Sequence, residues 1–282
     1  MPNIRDLDPT ASPLDYFGAE LRRLREAAGM NQGQLGSCIF CTGSLVGQIE
    51  TARKLPTREF AERADAALGS DGALSRLVGL VLRSQLPTWF QAYAEMEARA
   101  VHISTFQAQV VYGLLQTEEY ARAVLDTGVP EKVDQLLAAR MERQRILKRA
   151  QPPLMCVILD EAVLRRPIGG PDVMRDQLAH LLDVMGHRWL TLQVLPRAAG
   201  QHVGLAGSFN ALRFDDGPDI VYTEDVISGH MTANPETLRE SSLRYARLQA
   251  TALSVEKSAA LIAHVMEELS GAQPAADGRD VA

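Results

Sequence analysis

Residues 29–50 read GMNQGQLGSCIFCTGSLVGQIE, and this stretch decides the fold of the N-terminal part of the chain. Gly29 ends a preceding amphipathic helix, because glycine adopts the left-handed conformation without a Cβ clash. Asn31 and Thr42 are each placed to cap a short helix, since their side chains can accept from the free backbone amides of its first turn. The pattern therefore predicts two short helices joined by a tight turn. The apolar residues that would pack between them are Leu35, Ile39, Val46 and Ile49.

Amphipathic patterns on both sides extend this pair to a bundle of five helices within residues 13–83. Pro87 marks a boundary, and a second domain is predicted at residues 88–270. The polar segment 271–282 is expected to be a disordered tail.

The second domain mixes helical patterns with short apolar runs that are typical of strands. The predicted strands are 154–159, 189–196, 208–214 and 219–225, whereas the apolar stretch 102–115 gives no clear period. Residues 131–150 predict one long helix. The predicted fold class is α+β: an N-terminal five-helix helix-turn-helix bundle followed by a mostly helical domain that contains a small mixed β-sheet.

Composition excludes several classes of protein. The chain has 282 residues and a net charge of −6, which argues against a wholly basic nucleic-acid coat protein. Three cysteines cannot form a closed disulfide set, and the N-terminus lacks a secretion-signal pattern. We expect a cytoplasmic protein without a membrane partner.

The order helix, turn, helix predicts a DNA-binding element, in which the first helix crosses the phosphate backbone and orients the second in the major groove. Ser44 and Gln48 lie on the outer side of the second helix, where a glutamine can make a bidentate contact with adenine. Between Gly29 and Arg58 the acidic residue Glu50 stands against three basic ones, and the resulting charge of +2 suits phosphate contacts. The predicted DNA-binding residues are Gln32, Thr42, Ser44, Gln48, Arg53, Lys54 and Arg58.

Residues 14–82 contain a set of motifs, namely Leu21-Arg22-Arg23-Leu24-Arg25, Gly29-Met30-Asn31-Gln32, Leu35, Val46, Gln48-Ile49-Glu50 and Pro56. With these motifs the segment resembles the helix-turn-helix domain of the XRE (xenobiotic-response-element, Cro/cI-like) regulators. The rest of the chain contains an ordered series of further stretches, namely Gly113–Thr117, Tyr120-Ala121, Arg143-Gln144, Asp160–Arg165, Gly169-Gly170, Gln177-Leu178, Val194–Pro196, Gly207–Phe209 and Tyr222–Glu224. This series resembles the C-terminal domain of Scr1-type antitoxin-like bacterial regulators.

The chain departs from the XRE pattern in the turn between the two short helices, within the second helix and at its end. Phe40 and Ala52 stand where such domains favour glycine, whereas Gly43 and Gly47 lie inside the second helix and cost it up to about 1 kcal/mol each relative to alanine. The resemblance implies a transcriptional regulator whose DNA occupancy changes when a small partner protein binds. Because one short helix reads only a few base pairs, we also expect a homodimer on two-fold-related half-sites of double-stranded DNA.

Two other functions stay open on the sequence alone. The C-terminal domain could be a small-molecule receptor or an enzyme with secondary DNA binding, or the protein could be an interaction module with a degenerate helix-turn-helix. Aromatic residues near the domain boundary are candidates for a pocket, although core packing is the commoner role. These residues are Trp89, Phe90, Tyr93 and Phe106. We expect no enzymatic activity, no cofactor and no catalytic or metal-binding residues.

Three further motifs have both a functional and a structural interpretation. The basic run 140–149 could bind an acidic partner through Arg145 and Arg149, form a solvated face, or pack over acidic residues of the same chain. The Cys38-x-x-Cys41 pair lacks the further ligands of a structural zinc site and is expected to pack in the turn. The carboxylates at 160–161 and 224–225 are expected to cap helices or face water rather than act as acid–base pairs.

Overall fold

We describe the computed structural model over residues 7–127 and 130–271. The α-helices in these residues are α1 (Pro13–Ala27), α2 (Gln32–Cys38), α3 (Gly43–Glu50), α4 (Arg58–Leu68), α5 (Ala73–Ser84), α6 (Thr88–Arg99), α7 (Glu118–Asp126), α8 (Val133–Arg143), α9 (Glu161–Arg165), α10 (Pro171–Val184), α11 (Pro235–Thr251) and α12 (Val255–Gly271). The strands are β1 (His102–Gln107), β2 (Leu154–Asp160), β3 (Leu190–Leu195), β4 (Phe209–Arg213), β5 (Ile220–Glu224) and β6 (Gly229–Thr232). The fold is α+β, as predicted.

The chain forms two compact units. The N-terminal unit runs up to Gln91 and also contains Asp134–Glu142, and the C-terminal unit contains Ala92–Val133 and the residues from Arg143 onwards. The predicted domain limits, 13–83 and 88–270, stay predictions. The tail predicted at 271–282 lies outside the described residues apart from Gly271, which ends α12. None of the helices in the described ranges has the length and apolar character needed to cross a membrane.

The predicted caps of the two short helices are confirmed. Asn31 accepts from the amide of Gln34 at 2.8 Å while the Gln34 side chain accepts from the amide of Asn31 at 2.8 Å, which makes a capping box at the start of α2. Thr42 caps α3 by accepting from the amide of Leu45 at 3.2 Å. Gly29 has a φ of +68° just beyond α1, so the predicted end of that helix is also confirmed.

The apolar core of the N-terminal unit lies between these helices. The predicted core residues of α2 and α3 are at most 2% exposed, which confirms their role. The largest buried residues that pack with them from the other helices of the unit are Phe17, Leu21, Phe60, Leu74 and Leu82. Burial of this apolar surface, rather than helix propensity, holds helices this short in place.

Asp65 joins α4 to the start of α5. Its buried carboxylate accepts from the amides of Leu74 and Ser75 at 2.9 and 2.8 Å and from the hydroxyl of Ser70. Burial by itself raises the pKa of Asp65, but these hydrogen bonds outweigh it and hold the pKa below the ordinary value. The ionised carboxylate therefore satisfies amides at the start of α5.

The C-terminal unit contains a six-stranded mixed sheet with the order β3-β2-β1-β4-β5-β6. Strands β1, β2 and β3 are parallel, and β4, β5 and β6 continue the sheet in antiparallel fashion. The strands β2 to β5 confirm the four predicted ones. Two further strands were not predicted from the sequence: β1, which lies at the centre of the sheet, and β6, which lies at its edge.

Strand β1 lacks the alternation of apolar and polar residues that predicts a strand, because several of its buried side chains are polar. The Thr105 hydroxyl donates to Oδ1 of Asn210 on β4 at 2.6 Å, and the Gln107 amide donates to the same oxygen at 3.0 Å. These residues satisfy one another across the sheet, so they are buried without apolar alternation. Strand β6 was missed for a different reason, because Met231 is its only large apolar residue.

The helix predicted at 131–150 is shorter than expected. It ends as α8 at Arg143, and a 3-10 turn follows at Gln144–Lys148. The Gln144 amide donates to the carbonyl oxygens of Gly113 and Gln116 at 3.0 and 2.8 Å, which ties the chain to another segment at the point where the helix stops. The basic run 140–149 therefore does not lie on one helix.

Candidate nucleic-acid interface

Helices α2 and α3 approach each other at glycine positions. A Cβ atom at Gly43 would lie 2.9 Å from the Cα of Gly33, and one at Gly47 would lie 2.9 Å from Oε1 of Gln32. Contacts this short do not occur in close-packed interiors, so a larger residue at position 43 would force the helices apart. The two glycines inside α3 therefore have a packing role, which helix propensity does not report because it considers each helix alone.

Two non-glycine residues in this region have a left-handed backbone. Phe40, in the turn before α3, has a φ of +57°, and Ala52, just after α3, has a φ of +53°. These are the two positions where the XRE pattern favours glycine, and the conformation costs a residue with a Cβ about 1–2 kcal/mol. The Phe40 side chain is 86% exposed, and the guanidinium of Arg63 lies 5.9 Å from the centre of its ring.

The outer face of α3 carries the side chains that were predicted to read DNA. Ser44 and Gln48 are four residues apart and exposed, so they lie one turn apart on the same face of the helix. Val46 and Ile49 lie on the opposite face, in the core of the unit. The helix is therefore anchored by one face and presents polar side chains on the other.

The residues that flank α3 are also exposed. Thr42 is exposed at the N-terminus, although its hydroxyl is already used as the helix cap. Arg53 and Lys54 are exposed beyond the C-terminus, and their backbone amides donate to the carbonyl oxygen of Gln48 at 2.9 and 3.3 Å. These hydrogen bonds fix the backbone turn after α3 that carries the two cationic side chains.

A buried ionic network fixes α3 to α1 and α2. Arg25 donates from Nε and Nη2 to the two carboxylate oxygens of Glu50 at 2.5 and 3.1 Å, and it also donates to the carbonyl oxygen of Met30 at 2.7 Å. The amide of Gln32 donates to Oε2 of Glu50 at 2.8 Å. Glu50 is 0% exposed, and its hydrogen bonds raise the pKa of Arg25. Removal of one partner from such a pair costs about 3–5 kcal/mol.

This network changes the interpretation of two predicted residues. Glu50 was counted as the acid that reduces the local charge, but its carboxylate is neutralised by Arg25 inside the core. Gln32 was predicted to bind DNA, but the nitrogen of its side-chain amide donates to Glu50. Gln32 therefore contributes to the position of α3 through its side chain.

A surface cleft of about 600 Å³ brings several of the predicted residues together. Four of the seven predicted DNA-binding residues line it, namely Gln32, Ser44, Gln48 and Arg53. The other lining residues are Arg22, Arg25, Glu26, Asn31, Gly47 and Thr51. Helices α1, α2 and α3 all contribute to the cleft, so its shape depends on the buried network between them.

The structure places Arg58 away from this cleft. Its guanidinium, at the N-terminus of α4, forms an ion pair with Glu142 of α8 and donates to the carbonyl oxygen of Ser75. Both partners belong to the same compact unit as Arg58. These contacts give the guanidinium of Arg58 a structural role, and we do not include Arg58 in the proposed DNA-binding surface.

The basic run 140–149 divides into buried and exposed parts. Arg143 forms a buried ion pair with Glu97, at 2.8 Å from Nε to Oε2, which is the same-chain packing that the sequence left open. The coulombic attraction of Glu97 and its hydrogen bonds outweigh the effect of burial and raise the pKa of Arg143. Arg149 is exposed and donates to the carbonyl oxygen of Ala98 at 2.6 Å. Arg145 is exposed.

The cysteines and the paired carboxylates differ in their surroundings. Cys38 and Cys41 are free thiols. Cys41 is half-buried and packs against the core, as predicted, whereas Cys38 is exposed, so its predicted packing in the turn is wrong. The described part of the chain contains no group of three or more residues suited to hold a metal ion. Asp160 caps α9 by accepting from the amide of Ala162 at 2.8 Å, as predicted. Burial by itself raises the pKa of Glu161. The hydrogen bonds that its carboxylate accepts from the backbone amide of Arg197 and the guanidinium of Arg165 outweigh this effect, so the pKa of Glu161 is lowered.

The aromatic residues proposed for a pocket belong mostly to the core. Phe90, Tyr93 and Phe106 are at most 9% exposed, whereas Trp89 is 39% exposed. Tyr93 stacks on Tyr222 with ring centres 3.9 Å apart, inside the C-terminal unit. Phe106 packs in a separate cluster around the sheet. The core interpretation is therefore confirmed for three of the four residues.

Two separate segments of the chain match known families. Residues 17–78 match the family described as "Helix-turn-helix domain", and residues 90–264 match the family described as "Domain of unknown function (DUF5753)". No curated protein and no solved structure matches the chain. The second match covers more than half of the 282 residues, so the chain belongs to the DUF5753 family and carries a helix-turn-helix domain ahead of the family's own domain.

Proposed function

We propose that the protein is a sequence-specific transcriptional regulator of the XRE type that binds double-stranded DNA through α3. The helix-turn-helix domain indicates a DNA-binding regulator. The single observation that carries the finer proposal is the outer face of α3, where Ser44 and Gln48 are exposed next to Arg53 and Lys54. A polar helix face with adjacent cations is the chemistry that base readout and phosphate contact require.

In this proposal each residue has a stated role on DNA. Gln48 contacts a base edge in the major groove, with a bidentate pair to adenine as the favoured contact, and Ser44 contacts a base or phosphate one turn earlier. Arg53 and Lys54 bind phosphates and make the affinity salt-dependent. Gln32 and the buried Arg25–Glu50 pair act indirectly, because they hold α3 in the orientation in which it enters the groove.

We further propose a cytoplasmic homodimer whose occupancy of DNA is controlled by a partner protein or by a small-molecule effector. Two copies double the number of base pairs that are read, which one short helix needs for specificity. Any controlling ligand must bind the DNA-competent and DNA-incompetent states with different affinities. Arg145 and Arg149 stay predicted partner contacts of this proposal, as does the absence of catalytic activity.

The test is binding of the purified full chain to DNA from upstream of its own gene, compared with a scrambled duplex at about 50 and about 200 mM salt. Selective binding that weakens with salt is expected. Gln48→Ala should weaken binding to the selected duplex by about tenfold or more while scrambled DNA is bound as before. Gln249→Ala, which changes an exposed glutamine on α11, is the matched control and should have no effect.

Two outcomes would contradict the proposal. Equal binding to both duplexes at either salt concentration would contradict sequence-specific DNA binding. Unchanged selectivity in Gln48→Ala would remove the assigned role of α3. Thermal stabilisation by a metabolite together with absent DNA binding would favour the receptor or enzyme interpretation of the C-terminal domain, because a ligand that prefers the folded state raises its stability.

A further inference from the structure

The two edge strands of the sheet in the C-terminal unit differ in whether their outer backbone groups are hydrogen-bonded. At β3 the outer edge is covered, because the carbonyl oxygen of Val194 accepts from the amide of Leu253 at 2.9 Å and the amide of Val194 donates to the hydroxyl of Ser258 at 2.9 Å. At the other edge the sheet order ends with β6, and no further strand pairs with it within the described residues. An open edge presents backbone donors and acceptors to any extended chain that approaches.

The hairpin geometry indicates which backbone groups of β6 face outwards. The amide of Asp225 donates to the carbonyl oxygen of Ser228 at 2.9 Å and closes the turn between β5 and β6. Hydrogen-bonded and non-hydrogen-bonded pairs alternate along an antiparallel ladder. The register pairs Tyr222 with Met231 and Glu224 with Gly229, and these are the non-hydrogen-bonded pairs. The amide and carbonyl groups of Met231 and Gly229 therefore point away from β5.

The tip of this hairpin carries apolar side chains on a hydrogen-bonded turn. Val226 is 100% exposed and Ile227 is 82% exposed, so both side chains project from the turn. The carboxylate of Asp225 accepts from the amides of Ile227 and Ser228 at 2.9 and 2.6 Å, which holds the turn in one conformation. Apolar side chains displayed in this way next to an open strand edge are typical of a contact surface.

A cleft of about 440 Å³ lies beside the hairpin, between the sheet and the first turns of α11. Phe209 and Val221 are among the apolar residues that line it. Among the charged lining residues are the carboxylates of Glu224, Asp225 and Glu240 and the guanidinium of Arg244, which is bound to Glu240 at 2.7 Å. His230 also lines the cleft, with its Nε2 3.2 Å from the Asp225 carboxylate. The three carboxylates outnumber these two basic side chains, so the cleft has a net negative charge.

We propose that the outer edge of β6 and this cleft bind an extended, positively charged segment of a partner protein, which adds to the sheet as a further strand. Backbone bonds to Met231 and Gly229 would give affinity, and alternate side chains of the segment would reach the carboxylates and the apolar tip. This inference deepens the proposed control by a partner and rests on it, but it does not depend on DNA binding. A second copy of the chain is the competing occupant.

The test uses the full chain and two fluorescein-labelled heptapeptides, one alternating lysine with valine and the other alternating glutamate with valine. Fluorescence anisotropy should show saturable binding of the basic peptide at concentrations up to about 1 mM and at least about tenfold weaker binding of the acidic one. Met231→Pro removes the outward amide of an edge strand, where proline is tolerated, and should abolish binding. Circular dichroism of this variant should match that of the parent protein.

Charge is tested separately with two reversals on the same helix. Glu240→Lys should weaken binding of the basic peptide by about fivefold. Glu236→Lys makes the same change at an exposed residue that does not line the cleft, and it should leave binding unchanged. Equal effects of the two variants, or binding that survives Met231→Pro, would overturn the proposal.

Sedimentation of the same variants identifies the competing occupant. If the parent protein is a dimer that Met231→Pro dissociates and that does not bind the basic peptide, the edge belongs to a second copy and the partner proposal is wrong. If the parent protein binds the basic peptide and sediments in the same way as Met231→Pro, the edge is not an interface between two copies and the proposal is supported. Gln48→Ala should lose DNA binding and keep peptide binding, because DNA binding through α3 and peptide binding at β6 are tested independently.

Discussion

Replacement of Ala52 by glycine should stabilise the N-terminal unit, although alanine-to-glycine changes usually destabilise proteins. Ala52 has a φ of +53°, a conformation that costs a residue with a Cβ about 1–2 kcal/mol and that glycine adopts freely. Glycine also gains entropy in the unfolded chain, which offsets about 0.5–1 kcal/mol of this relief. The net expectation is stabilisation by about 0.5–1 kcal/mol, or about twofold to fivefold slower opening.

Peptide-resolved hydrogen exchange measures this effect in the full chain, because it reports the opening of α1 to α5 separately from that of the C-terminal unit. Ala250→Gly is the matched control, since Ala250 is an exposed residue inside α11 and its replacement should destabilise that helix by up to about 1 kcal/mol. Faster exchange in α3 after Ala52→Gly would refute the argument from backbone conformation.

Three further predictions concern the same unit. Glu50→Ala leaves the buried Arg25 with only the exposed carboxylate of Glu26, 3.4 Å away, and we expect a loss of about 3–5 kcal/mol in the stability of the unit. Faster hydrogen exchange in α1 to α3 measures this loss, and wild-type exchange would contradict it. Asp65 has a lowered pKa in the folded state, so its contribution is present above the unfolded pKa of about 3.9 and is lost as the pH falls through the folded pKa. Acid unfolding of Asp65→Asn, followed by circular dichroism, should therefore depend less on pH below about 4 than that of the parent protein, and parallel curves would argue against it. Arg53→Ala and Lys54→Ala should each reduce the slope of log affinity against log salt by about 1 on DNA, and an unchanged slope would remove the phosphate contact.

The local features of the N-terminal unit could be predicted from the sequence because neighbouring residues determine them. The caps at Asn31 and Thr42 and the core stripe through α2 and α3 follow from spacings of three and four residues. The Arg25–Glu50 pair could not be predicted in this way, since its members are 25 residues apart and nothing in the local pattern marks Glu50 as buried.

Prediction of the C-terminal unit was limited by long-range contacts. Strand β1 is polar by composition, and it is stable at the centre of the sheet because Thr105 and Gln107 find a partner in Asn210, more than 100 residues later. The role of Gly43 was missed for a related reason, because the space it leaves is filled by the backbone of Gly33 on another helix. Sequence periodicity reports which face of an element is apolar, but it does not report how close the neighbouring element comes.

The glycine contacts between α2 and α3 have a consequence for redesign of DNA specificity. Position 43 limits side-chain size because its neighbour is backbone, and position 47 limits it because the Gln32 side chain is held by Glu50. Ser44 and Gln48 lie on the same helix and face solvent, so their side chains can change without moving the helix. If α3 reads DNA as proposed, a library that varies positions 44 and 48 while keeping the glycines would explore new operator sequences with the position of the helix unchanged.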